Sequence, residues 1–315
     1  MQVGDILRKK TARVETVRMN ETVGIAAQLM PANNSRALVA RGVGPVLLIV
    51  PLSRRGECPA PRPTPPGRFE HNVPEPLVAA LTRHKGKRHL VIVEGIYSMD
   101  GDFGNLNELM DVADAHEASV FVDEAHSMLA CGANGRGAVE HFGVDKRIRI
   151  LYGTFSKAFG ALGGFVCGSK ETLDYLRFYS HPYVYSCALP PVVVAAILKA
   201  LEIGMSRSEL RSRLWENADH FHKGLTGLGI DTGSSTTYIM PLVVGDRERM
   251  YRLGHELRHR GLWVAPVDYP AVPQDKICFR ACVTANHTRA DLDEALNILS
   301  DTLVPAHLSQ TQGAP

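Results

Sequence analysis

The sequence predicts an α/β fold, a large unit on a mainly parallel sheet followed by a smaller C-terminal α+β unit. Two observations carry this. The first is an alternation of short apolar runs with helical spacing: Leu90–Val93, then Leu106, Leu109, Met110 and Ala113, then Val120–Val122, with Ile148–Tyr152 and Phe165–Cys167 repeating the theme. Short continuous apolar runs read as strands buried on both faces, and helices between them read as crossovers joining parallel strands. The second is the change after Leu189-Pro190-Pro191. A long apolar helix (Val192–Met205) and a charged helix (Ser206–Leu228) lead into strand Ile239–Val244, helix Arg247–Arg260, strand Ile277–Val283 and helix Arg289–Leu303. The resulting division is residues 1–68, 69–229 and 230–315.

Composition excludes several function classes. The 315 residues are 45% hydrophobic and 22% charged, as in an ordinary globular chain. The longest apolar run, Val43–Leu52, is about half the ~20 residues needed to span a bilayer, so no transmembrane segment is expected. The six cysteines (Cys58, Cys131, Cys167, Cys187, Cys278, Cys282) form no C-x-x-C pair and read as reduced thiols of a cytoplasmic protein. Residues 1–68 carry eleven Lys/Arg against four Asp/Glu, whereas the remainder carries 24 against 29. The bulk of the chain therefore has no general attraction for nucleic acid. The basic segment also holds Pro59, Pro61, Pro63, Pro65 and Pro66, which suit neither helix interior nor central strand, and it is expected to be poorly ordered.

In parallel sheets, ligands gather beyond the carboxyl ends of the strands. Three polar clusters stand there: Glu94-Gly95-Ile96-Tyr97-Ser98-Met99-Asp100-Gly101-Asp102, Asp123-Glu124-Ala125-His126, and Gly153-Thr154-Phe155-Ser156-Lys157-Ala158-Phe159-Gly160. Pyridoxal 5'-phosphate (PLP) needs a lysine amine for a Schiff base, a carboxylate against its pyridine nitrogen, and hydroxyl and N–H donors for its phosphate. Lys157 can supply the amine, Asp123 the carboxylate, and Thr154 and Ser156 the hydroxyls, with His126 beside the ring. Each residue alone has an ordinary structural reading: a lysine is usually a solvated surface residue, and an aspartate at a strand end is usually a cap or turn former. The order of the clusters, each directly after a strand, is what gives them weight.

The stretches E-G-I-Y-S-M-D-G-D, V-D-E-A-H-S, G-R-G, G-T-F-S-K-A-F-G-A-L-G-G and Y-S-C-A-L-P-P together resemble the α-oxoamine synthases, fold-type-I PLP enzymes, from about Phe69 to Leu303. The resemblance implies condensation of an amino acid with an acyl-CoA, with decarboxylation, to give an α-amino ketone. It makes Lys157 and His126 catalytic, and Ser98, Asp123, His126, Thr154, Ser156, Lys157 and Ser186 cofactor-binding. Ser186 would serve the neighbouring subunit of a homodimer, or of a heterodimer with a paralogue. Arg280, in Cys278-Phe279-Arg280, would pair with the substrate carboxylate. Three positions depart from the family pattern: Val73 replaces the aspartate of an H-N-D motif, Leu129 stands where glycine is common, and Cys187 where threonine or asparagine is common. Residues 1–68 hold neither the family's glycine-rich turn nor its ring-stacking histidine in recognisable form. The alternative implied by these gaps is a catalytically impaired or non-catalytic partner subunit.

One rival motif, His255-Glu256-Leu257-Arg258-His259, matches the H-E-x-x-H spacing of zinc sites. Arg252, Arg258 and Arg260 oppose a dication there, and Met250, Leu253 and Leu257 give the helix an ordinary buried stripe, so no metal is expected.

Overall fold

The computed structural model describes residues 68–304. The basic segment read at 1–68 thus lies, except for Arg68, outside the described residues. The first sheet has the order β1-β2-β3-β4: β1 Leu90–Glu94, β2 Ser119–Asp123, β3 Ile150–Thr154 and β4 Gly164–Gly168. β1, β2 and β3 are parallel, whereas β4 returns antiparallel to β3. The fold is therefore α/β with a mostly parallel sheet, but β4 does not continue the parallel theme. Only nine residues separate β3 from β4, too few for a crossover helix.

Helices α1 (Pro74–Arg83) and α2 (Leu106–Ala115) pack together on this sheet. Their buried Leu77, Leu81, Leu106, Leu109 and Met110 meet Val91, Val93, Val120 and Val122 in one core. In β1 and β2 the buried positions alternate with half-buried ones, so these strands are fully covered on one face only, a correction to the expectation of two buried faces. A short α3 (Ala138–Phe142) follows β2. Helices α4 (Lys170–Tyr179), α5 (His181–Val184), α6 (Pro191–Ser206) and α7 (Ser208–Gly227) follow β4.

The C-terminal sheet has the order β5-β7-β6, entirely antiparallel: β5 Ile239–Val243, β6 Ala265–Val267 and β7 Cys278–Cys282. Helices α8 (Arg247–His259) and α9 (Arg289–Leu303) cover it. Asp246 caps α8 by accepting from the Arg249 N–H, and Thr288 and Asp291 form a capping box on α9. The second core unites Met240, Leu242, Leu257, Phe279 and Leu299 with Phe221 and Leu225 of α7 and with Ile96, Ala130 and Cys131 from the loops after β1 and β2. Those loops therefore run from the end of the parallel sheet into the C-terminal unit.

Candidate active site

The site forms where β1, β2 and β3 end. Glu94 and Asp123 are register partners and the last residues of their strands. Thr154 is the last residue of β3 itself, not of a loop after it. The chain then turns at Gly160 (φ 60°) and Gly163 (φ 101°), left-handed positions that suit glycine.

Lys157 is exposed, and burial among its neighbours lowers its pKa, with Asp123 and Glu94 opposing the shift and Arg280 adding to it. The amine is thus within electrostatic reach of both carboxylates and of Arg280. The lowered value enlarges its neutral, nucleophilic fraction. Burial raises Asp123, which the Ala125 N–H (2.8 Å) and Lys157 partly offset. Glu94 is pushed up to about 7, first by burial and then by Asp123. His126 is pushed down to about 3 by burial, Lys157 and Arg280, so it is a neutral imidazole at pH 7, one nitrogen donating and the other accepting.

Arg280, from the central strand of the other sheet, reaches this place: its Nη1 donates to the Ser98 carbonyl at 3.0 Å. Its Nε is buried with no partner in the protein, an orphaned donor that fits an anionic ligand. Thr154 Oγ1 is buried, 2.8 Å from the exposed Ser156 hydroxyl and 3.1 Å from the Gly163 carbonyl. Ser186 stands apart, exposed on the segment after α5, its hydroxyl donating to the Pro182 carbonyl.

The D-E-A-H-S segment divides its labour. Asp123 and His126 face the site, while Glu124 is fully buried and accepts from the Ala138 and Val139 N–H groups (2.9 and 2.8 Å) and from the Ser127 hydroxyl. Sequence reasoning missed Glu94 as a site residue, although it ends its apolar run just as Asp123 does. It also missed the role of His71 and Asn72. His71 Nε2 lies 2.7 Å from Asp102, and Asn72 binds Asp102, the Phe103 carbonyl and the Asn105 N–H, pinning the loop after β1. In the H-E-x-x-H helix, the His255 and His259 rings lie 4.4 Å apart, and Arg258 stacks over Trp263 at 3.8 Å.

The family model described as aminotransferase class I and II matches residues 63–299. The chain belongs to this family, within its α-oxoamine synthase group. The 8-amino-7-oxononanoate synthase of Symbiobacterium thermophilum is 42% identical over 231 residues, covering 73% of this chain and 59% of that enzyme. A high-resolution structure of SPT with PLP superposes with a TM-score of 0.71 at 37% identity, over 75% of this chain and 60% of the other. The serine palmitoyltransferase of Sphingomonas wittichii gives a TM-score of 0.72 at 32% identity, over 76% and 62%. The chain spans about three-fifths of the length of the curated relatives it matches. Among the described residues, no helix is long and apolar enough to cross a membrane.

Proposed function

We propose that this chain is a PLP-dependent C-acyltransferase of the α-oxoamine synthase type, joining an amino acid to an acyl-CoA with loss of CO2. The placing of the Lys157 amine within electrostatic reach of both the Asp123 carboxylate and the Arg280 guanidinium carries this reading. In the proposed arrangement, residues 69–229 form the large cofactor-binding part and residues 230–315 the small part that brings Arg280.

The residues present fit the cofactor. Lys157 would hold it covalently, Asp123 would pair with its pyridine nitrogen, Ser98 and His126 would contact its phenolic oxygen, and Thr154 and Ser156 would serve its phosphate. When bound, PLP supplies an electron sink that stabilises negative charge at the amino acid's α carbon. Arg280 grips the substrate carboxylate, its orphaned Nε completing a forked donor set. This sets the bond to be broken. Lys157 Nζ, when unbound, would take the α proton, a role that its lowered pKa suits. His126, kept neutral, donates a hydrogen bond without adding a second cation beside Lys157 and Arg280.

The proposed partner is a second subunit, the same chain or a paralogue. Phe178, Tyr183, Val192 and Leu198, on α4, α5 and α6, are 79, 65, 75 and 61% exposed, large apolar side chains that a second subunit would cover, and Ser186 lies between α5 and α6. A cytoplasmic setting accords with the free thiols of Cys131, Cys167, Cys187, Cys278 and Cys282.

The test is spectroscopic. Incubated with PLP, the chain turns yellow, and Lys157→Ala abolishes the colour while shifting stability by no more than ~0.5 kcal/mol, because the side chain is exposed. A wild-type chain that stays colourless with excess PLP refutes the reading. Release of CoA from an acyl-CoA in the presence of serine, glycine or alanine then tests the condensation itself.

A further inference from the structure

The loop after β1 has an unusual accounting of backbone hydrogen bonds. Its Gly95, Tyr97, Gly101 and Gly104 N–H groups donate to backbone carbonyls (Asp123, Asp102, Tyr97 and Gly95) at 2.8–3.0 Å. The Ser98 N–H instead donates to a side chain, the Glu94 carboxylate, at 3.2 Å. The carbonyl of the same Ser98 accepts from Arg280, 182 residues away. One residue is thus held on one side by β1 and on the other holds the guanidinium of β7. The far end of the loop is docked separately. Thr237 Oγ1 and the Thr236 N–H donate to the Gly101 carbonyl at 2.7 and 3.2 Å, and Lys276 pairs with Asp100 at 3.2 Å.

A carboxylate at Glu94 is costly, because it is half-buried and shares its strand end with Asp123. A strand residue with no further task would be apolar there, as Leu90 and Ile92 on the same face are. We propose that Glu94 is a positioning residue, and that its carboxylate, by holding the Ser98 N–H, fixes Arg280 for the substrate carboxylate and ties amino-acid binding to the cofactor loop. The proposal rests on the roles given above to Arg280 and Ser98. It adds that Arg280 acts at full affinity only when its acceptor is itself anchored. Without Glu94, the Ser98 N–H loses its anchor while Ile96 and Tyr97 stay buried and bonded, so the slack is confined to the Ser98 peptide. Arg280, with Nε already unpartnered, then loses a fixed acceptor for Nη1.

The experiment uses the full chain as wild type, Glu94→Ala, Glu94→Gln, Arg280→Ala and Glu94→Ala/Arg280→Ala. Amide hydrogen exchange over residues 95–102 is measured without additions. The PLP-loaded proteins are then titrated with L-alanine and L-serine, read by the change in the visible spectrum. Loss of a hydrogen bond to a charged group predicts roughly tenfold faster exchange at Ser98 and roughly tenfold weaker amino-acid binding in Glu94→Ala, with PLP affinity changed less than ~3-fold. Glu94→Gln, whose amide oxygen still accepts, restores both to within ~3-fold of wild type. In the Arg280→Ala background, Glu94→Ala adds nothing to the loss of amino-acid affinity. The proposal fails if Glu94→Ala leaves Ser98 exchange unchanged, if PLP is lost as strongly as the amino acid, or if Glu94→Gln behaves like the alanine variant. A colourless wild type sinks the functional reading, and with it the Arg280 half of the proposal, while the exchange data still decide the Glu94–Ser98 link.

Discussion

Adjacent strands β1 and β2 end in carboxylates at the same register position, yet only the second of the loops that follow them is built around a buried hub of its own. The loop after β1 is held from outside: by His71 and Asn72 ahead of α1, by Thr236 and Thr237, by Lys276 and by Arg280. The loop after β2 is organised around its own buried hub, Glu124, which gathers Ser127, Ala138 and Val139. A functional side chain can therefore be placed by docking alone or by docking onto an internal hub. Docking makes Ser98 answer to events in the C-terminal unit. The hub gives Asp123 and His126 a second support, beside the Tyr238 hydroxyl that donates to the His126 carbonyl.

The largest effects come from breaking each plan at its glycine. A Cβ on Gly101 would lie 1.9 Å from the Ile239 carbonyl oxygen, and φ there is 73°. A Cβ on Gly137 would lie 2.4 Å from Glu124 Oε2, at φ 94°. Both alanine variants are expected to lose more than ~3 kcal/mol by denaturant unfolding, since steric overlap adds to backbone strain. Gly160→Ala, at φ 60° but with open space around the new Cβ, is the control and should lose only ~1–2 kcal/mol. The comparison is sharpened by where the damage appears. Gly101→Ala should loosen the contact between the β1 loop and β5, and Gly137→Ala the start of α3, as read by hydrogen exchange.

The two glutamates share a pH response but separate the plans again through their amide variants. Glu94 and Glu124 both have folded values pushed up to about 7, above the ordinary 4.5, chiefly by burial. Between those values the native state keeps a proton that the unfolded chain has released. Each therefore makes stability fall as pH rises from about 4.5 to about 7, with no further change above. Glu94→Gln removes that contribution, so its stability relative to wild type should improve by roughly 1–2 kcal/mol between pH 5 and pH 8. Glu124→Gln should be destabilised at either pH, because its amide nitrogen cannot accept from the Ala138 or Val139 N–H. Thermal unfolding of the three proteins at both pH values distinguishes them: both variants share the pH response, and a Glu124→Gln protein as stable as Glu94→Gln at each pH would erase the distinction.

What the sequence made legible follows the same divide. The continuous apolar runs of β1 and β2 reveal strands, and the polar clusters after them reveal the site, because a buried parallel strand and its carboxyl end are local patterns. The antiparallel return of β4 was not read, although its nine-residue connection was a usable signal. Helix α1 and the three-residue edge strand β6, with Pro266 inside it, carry too little periodicity to stand out. Glu94 was missed because its meaning depends on Arg280, a partner with no sequence proximity. His71 and Asn72 are the first two residues of the H-N-D motif that Val73 interrupts, but their attachment to Asp102 is a tertiary fact.

Two departures from the family pattern supply smaller tests, one beside each loop. Val73 is the N-cap of α1 and makes no side-chain cap bond, with extended backbone (φ −106°, ψ 119°) suited to a capping residue. Val73→Asp should stabilise by ~1 kcal/mol, through a new acceptor for the first-turn N–H groups and a favourable charge at the helix start. Because Asn72 pins the β1 loop, the gain should extend to slower exchange at Asn105, whose N–H binds the Asn72 side chain at 2.9 Å.

Leu129, in the loop after β2, has the smallest expected effect. It is a branched residue at φ 63°, a left-handed conformation that costs a non-glycine side chain ~1–2 kcal/mol. The loop holds it there: the Leu129 N–H donates to the Gly135 carbonyl at 2.8 Å. Against the strain stands packing. The Leu129 side chain rests over Gly204 of α6, so close that a Cβ on Gly204 would lie 2.8 Å from it. Leu129→Gly relieves the backbone but gives up that half-buried contact and adds unfolded-state entropy, terms of similar size. The net change should lie within ~1 kcal/mol of zero, measured by urea unfolding. A loss above ~2 kcal/mol would mean that contact with α6, and not the Glu124 hub, sets the conformation of this loop.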